Sequence, residues 1–187
     1  ILEAFLDSGI QGGIFAPFVD PVLVQKAADV GVGGVFQACF NEKTESVFSR
    51  RLTVQAKVLA VQKGDYHAQY GVYAGSRVPL GMCSVLEVGG NRVVLISACQ
   101  QLLGEDFISQ FGIDVAKASF IVAKSRGHFR AGFSHLVPSE RIFEVDSPGL
   151  TTATLASVPW KDVSRPIAPL DAVESWEPSV LAVSRRQ

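Results

Sequence analysis

The sequence predicts an α/β fold, a single layered domain with a mixed β-sheet flanked by helices. Three observations carry that prediction. A sharply punctuated helix runs directly into an apolar strand, two β-rich runs meet at Gly89-Gly90-Asn91, and a short helix separates that hairpin from a last apolar strand. Strands joined partly by hairpins and partly through helices imply one sheet with both antiparallel and parallel neighbours.

Taken in order, Ile1, Leu2, Phe5 and Leu6 form an apolar stripe at helical spacing with no capping residue before it. The expectation is a helix remnant over residues 1–13 that links to a missing N-terminal domain, and an exposed apolar patch where that partner would sit. Asp20 caps a helix that has Pro21 at its first position, runs through Val22 to Val30 and stops at Gly31. Val32 to Phe40 reads as a buried strand, and Asn41 to Arg51 as a loop. Leu52, Val54, Ala56 and Val58 alternate with polar residues as in a half-buried strand; Gly64-Asp65 then reads as a turn into a second alternating run, Tyr66, Ala68, Tyr70 and Val72. Ser84 to Val88 and Arg92 to Ala98 pair across the glycines. Glu105 to Phe111 is a short helix ended by Gly112, Asp114 caps another turn, and Ser119 to Ala123 is an apolar strand. Arg141 to Val145 reads as one more strand, Ser147-Pro148-Gly149 as a turn and Thr151 to Ser157 as a helical turn. Arg165 and Asp171 flank an extended Pro-rich segment and are available to pair, and residues 172–187 form a C-terminal tail.

Composition narrows the function. With 187 residues, 48% hydrophobic and 19% charged, the chain can bury one good core. A net charge of −1 offers no field for a polyanion, so nucleic acid and acidic membrane surfaces are poor partners. No apolar run has the length of a bilayer span. Cys39, Cys83 and Cys99 are few, scattered and set among apolar neighbours, which suits small buried hydrophobes in a reducing, cytoplasmic compartment.

The densest chemical cluster is Lys124-Ser125-Arg126-Gly127-His128-Phe129-Arg130, a polar, glycine-containing turn at the end of the last apolar strand. Ligands of α/β sheets collect at strand ends, and two cations with an imidazole can hold a carboxylate or stabilise an oxyanion. Ion pairing of Lys124 and Arg130 with acidic residues, with His128 satisfying buried carbonyls, is the structural alternative. The histidines His67, His128 and His135 and the three cysteines lack ligand spacing, so no metal is expected in this chain alone. Gly31-Val32-Gly33-Gly34 follows a helix and precedes a strand, the reverse of a phosphate-binding loop. Lys124 and Ser125, adjacent on a strand, face opposite ways and do not make a Ser-Lys dyad.

Four blocks together resemble the C-terminal domain of the microcystinase-type, MlrC-like, metallopeptidase family. They are Asp20-Pro21 with Ala28-Asp29-Val30-Gly31-Val32-Gly33, Lys124 to Ala131, Val145 to Thr152, and Arg165 to Asp171. They occur in family order and place the domain at residues 14–171. The resemblance implies a longer parent enzyme that hydrolyses amide bonds in short or linearised peptides, with zinc held by a Glu, an Asp and two His of a separate N-terminal domain. It implies that this chain lines the cleft, with Lys124 and Ser125 binding substrate and His128 and Arg130 assisting catalysis. The expected partners are therefore that zinc domain, a small peptide substrate and, for a domain with unshared apolar surface, a second copy of the chain. Two departures stand out: Gly127 replaces a bulkier residue, and Asn41-Glu42-Lys43-Thr44 stands where the family often has Gly-Gly-Lys, so relatives do not define the substrate. The alternative function is a non-catalytic ligand-binding or oligomerisation domain.

Overall fold

The computed structural model describes residues 1–43, 47–125, 127–147, 152 and 154–172. Residues Ile1–Glu144 form one compact unit and Val145–Gln187 a second. The first is built on a six-stranded sheet with strands β1 (Gly13–Val19), β2 (Val35–Phe40), β3 (Leu52–His67), β4 (Arg77–Val88), β5 (Asn91–Ile96) and β6 (Phe120–Ala123), in the spatial order β2-β3-β4-β5-β1-β6. The pairs β2–β3, β3–β4 and β4–β5 are antiparallel, and β1 lies parallel to both β5 and β6. This is the mixed sheet expected from the sequence.

Helices cover both faces. Helices α1 (Leu2–Asp7) and α2 (Pro21–Val30) lie on one, α3 (Asp106–Ser109) and α4 (His128–Phe133) on the other. The alternation within β5 shows how one strand serves two cores. Val93 and Leu95 pack with Leu2, Phe5, Leu23, Val24 and Ala27 from α1 and α2, whereas Val94 and Ile96 pack with Phe107, Ile108 and Phe133 from α3 and α4.

Local chemistry sets the boundaries. The Asp20 carboxylate accepts the Leu23 N–H at 2.9 Å, and Gly31, at φ 80°, closes α2. Gly89 and Gly90 are both at positive φ, as a two-residue type I′ turn between Val88 and Asn91 requires. Asp114 caps a short 3-10 turn over Val115–Lys117.

Several expectations are corrected. The stripe of α1 is not an exposed patch: Leu2 and Phe5 are buried, Phe5 against the rings of Phe15 and Phe120, Leu6 is half-buried, and of the four only Ile1 is exposed. Gly64-Asp65 does not reverse the chain, because β3 continues through it with a register shift between Lys63 and Asp65, so that Gly64 marks a bulge. The reversal comes at residues 68–76, and β4 begins at Arg77, earlier than the hairpin signal suggested. The strand from Val32 is an edge strand that starts at Val35 and is half exposed. Residues 141–145 form no strand; Ser139–Arg141 is a 3-10 turn followed by irregular chain.

In the second unit, Leu155–Ser157 forms a 3-10 turn, consistent with the helical turn expected there. Arg165 pairs with Asp171, whose carboxylate also accepts the Ile167 N–H at 2.7 Å. Pro148 and Gly149 of the turn assigned to Ser147-Pro148-Gly149, and the tail from residue 173, lie outside the described residues.

Asn91 ties the start of β1 to the hairpin. It is 2% exposed, its Oδ1 accepts the Gly13 N–H at 2.9 Å and its Nδ2 donates to the Ile10 carbonyl at 2.7 Å. Asn91→Ala strands both backbone groups, and each buried unsatisfied group costs about 1–3 kcal/mol. A loss in that range or above is expected in chemical denaturation, with the slope of the transition unchanged.

Candidate functional site

β1, β5 and β6 run parallel, so their carboxyl ends share one edge of the sheet. The chain leaving β1 passes to α2 on one face, while the chain leaving β5 passes through α3 on the other. Diverging connections open a crevice at such an edge. Here it is an open groove of ≈ 360 Å³ lined by Pro17, Val19, Cys99, Gln100, Gln101 and Lys124.

Lys124 is fixed by its backbone. Its N–H donates to the Ala16 carbonyl at 2.9 Å, and its own carbonyl accepts the Leu102 N–H at 3.1 Å. Both main-chain groups are thus committed to neighbouring segments, and the exposed side chain lines the groove. Ser125 is half-buried, and its hydroxyl donates to Gln101 Oε1 at 3.1 Å. Gln101 Nε2 lies 3.3 Å from His128 Nδ1. Ser125 and His128 are therefore joined through Gln101, which lines the groove together with Lys124.

The polar turn expected over this cluster is corrected in part. Gly127 opens α4, so His128 is the first residue of a helix. Arg130, two positions on, projects from a different side of that helix. Its Nη2 is 2.5 Å from Glu144 Oε1 in an exposed pair, and its guanidinium carbon is 5.5 Å from the Phe129 ring centre. Arg126 lies outside the described residues.

The loop between β3 and β4 packs against α4. The Tyr73 ring is 5.6 Å from the His128 ring, and Tyr70 stacks on His135 at 4.1 Å. His135 Nε2 also lies 3.6 Å from Glu105 Oε1. This loop is pinned to α3 by the buried Asp106, whose carboxylate accepts the Gln69 N–H at 2.5 Å and the Phe107 N–H at 3.1 Å. Burial, helped by the nearby Asp106, holds the Tyr66 phenol protonated well above the usual tyrosine range.

The cysteines divide. Cys83 is buried, and desolvation together with Asp65 pushes its thiol up to about 11, which leaves it a packing residue. Cys99, expected to be buried, is exposed in the groove. Among the described residues, no three His, Cys, Asp or Glu side chains converge to hold a metal ion. His128 and His135 belong to separate surroundings, and His67 ends β3. The donor set present does not fit zinc. No helix among the described residues is long and apolar enough to cross a membrane.

Gln101 and Tyr73 have no counterpart in the sequence-level cluster. A glutamine just past a strand and a tyrosine in a hairpin loop carry no spacing signal, and only the tertiary fold brings them to His128.

The sequence profile of the family described as MlrC C-terminus matches residues 1–162. Microcystinase C from Sphingomonas sp is 24% identical over 136 residues, which is 73% of this chain and 26% of that protein. A crystal structure of a "Putative metallopeptidase" from Mesorhizobium sp. BNC1 has the same fold, with a TM-score of 0.72 and 23% identity over 94% of this chain and 34% of that one. The chain thus spans about a quarter of the curated relative and about a third of the solved one.

Proposed function

The chain belongs to the MlrC C-terminus family, and from that premise we propose that it is the domain lining the substrate cleft of a zinc metallopeptidase that hydrolyses amide bonds in short or linearised peptides. The zinc belongs to a separate N-terminal domain, and this chain's own side chains are not its ligands. The observation that carries the reading is an open groove at the carboxyl ends of three parallel strands, lined by Lys124 and by Gln101, which bonds Ser125 and His128.

Each residue then has a task that its chemistry allows. Lys124 supplies a point charge for a peptide carboxylate, with its position fixed by the two backbone bonds to Ala16 and Leu102. Ser125 donates its hydroxyl proton to Gln101, which leaves the oxygen's lone pairs to accept from a substrate N–H. His128 donates a hydrogen bond to the carbonyl oxygen as negative charge develops on it, the type of interaction that is stronger in the transition state than in the ground state. Arg130 holds a second carboxylate by exchanging Glu144 for it; the pair is solvent-exposed, so this exchange is inexpensive.

Placing the metal elsewhere has a direct test. After dialysis, elemental analysis of the 187-residue chain is expected to find far less than one zinc per chain. A stoichiometric, tightly held zinc would mean that this domain carries its own metal centre, and the division of labour proposed above would fall.

A further inference from the structure

We propose that Gln101 is a positioning residue that fixes the tautomer of His128, presenting its ring as a hydrogen-bond donor through Nε2. The carbonyl end of the Gln101 amide accepts the Ser125 hydroxyl at 3.1 Å. The other end is an NH2 group, which can only donate, and it lies 3.3 Å from His128 Nδ1. Nδ1 must therefore offer a lone pair. A neutral imidazole carries a single N–H, so the proton resides on Nε2.

The surroundings hold the three groups in place. Gln101 and Ser125 sit beside the bond from the Leu102 N–H to the Lys124 carbonyl, which clamps their two segments together at 3.1 Å. All three side chains are half-buried, which limits competition from water, and the Tyr73 ring packs near the imidazole. The same arrangement explains a feature the peptidase reading leaves open. An oxyanion donor must carry its proton on the nitrogen that meets substrate, and Gln101 sets that proton in advance. The catalytic meaning rests on the proposed function, whereas the tautomer does not.

The test is ring 1H–15N correlation spectroscopy on the chain labelled with 15N-histidine, at a pH well above the usual histidine range near ~6.5. His67 and His135 serve as references in the same spectrum. In the unmodified chain, His128 is expected to show a bare Nδ1 and a protonated Nε2. Gln101→Glu replaces the donor by a carboxylate and should move the proton to Nδ1; Gln101→Leu should give the mixture of a free imidazole. A protonated Nδ1 in the unmodified chain, or a His128 signal that neither substitution alters, would overturn the assignment. In the intact peptidase, Gln101→Glu is expected to lower kcat about 10²-fold, the scale of losing one oxyanion donor, with KM nearly unchanged. A swapped tautomer with unchanged kcat would keep the positioning role and overturn the catalytic role of His128, so the two readings fail separately.

Discussion

Replacing Gly132 by alanine is expected to destabilise the domain and unseat α4, although the change adds a single methyl group and improves helix propensity. A Cβ at position 132 would sit 2.1 Å from the Leu103 carbonyl oxygen and 2.5 Å from Gly104 Cα, both main-chain atoms that cannot rotate aside. On the other side of the helix backbone, a Cβ on Gly71 would come within 3.0 Å of the Gly132 nitrogen. Three backbones therefore meet at glycines, and Gly104 and Gly132 form a bridge there. Forcing extra volume into such a contact costs roughly 1–3 kcal/mol, with Tm falling about 2–4 °C for each kcal/mol in a chain of this size. Ala131→Gly, one residue earlier on the exposed side of α4, should cost only about 0.5–1 kcal/mol through helix propensity. If the two variants unfold at the same denaturant concentration, α4 is not seated by this contact. The consequence for the site is direct, because α4 carries His128 and its displacement separates the imidazole from Gln101.

The sequence revealed elements whose information is local. The Asp20 cap and the glycine pair of the hairpin each depend on a few adjacent residues, and each appears where expected, whereas α3 already ends at Ser109 and Gly112, at φ 74°, lies in the turn after it. The central strand β1 gave no such signal, because Pro17 interrupts it and proline ordinarily argues against a central strand. The structure accommodates Pro17 where the β1–β5 register already shifts, between Phe15 and Phe18, so the missing N–H falls at an existing irregularity. Gly64 misled in the opposite direction. A glycine beside an aspartate is as good a bulge as a turn, and the choice was made by the long pairing of β3 with β4. Helix α1 read as unpartnered because its sequence shows an apolar stripe without showing that Phe15 and Phe120 receive it.

The site divides along the same line. Lys124 and Ser125 were legible because an apolar strand leads straight into them, and strand ends are where α/β sheets bind ligands. The bonds that organise the site are not local: Gln101 reaches Ser125 across 24 positions and His128 across 27. Arg130 was grouped with His128 by proximity in sequence, yet the helical turn sends the two side chains apart and gives Arg130 to Glu144.

The most direct measurement is turnover of the intact peptidase carrying His128→Ala or Arg130→Ala, compared with the thermal midpoint of each variant. His128 is expected to contribute as a single oxyanion donor, so its removal should lower turnover by about 10²- to 10³-fold, equivalent to roughly 2.7–4 kcal/mol. Arg130→Ala should also reduce turnover, through loss of its hold on a second substrate carboxylate. Its stability cost is expected to be small, since exposed ion pairs such as Arg130–Glu144 contribute about 0–1 kcal/mol. Turnover is expected to fall with Tm nearly unchanged in both variants. Normal turnover in both, or losses that only follow the fraction unfolded, would contradict it and make the cluster a structural feature of the domain.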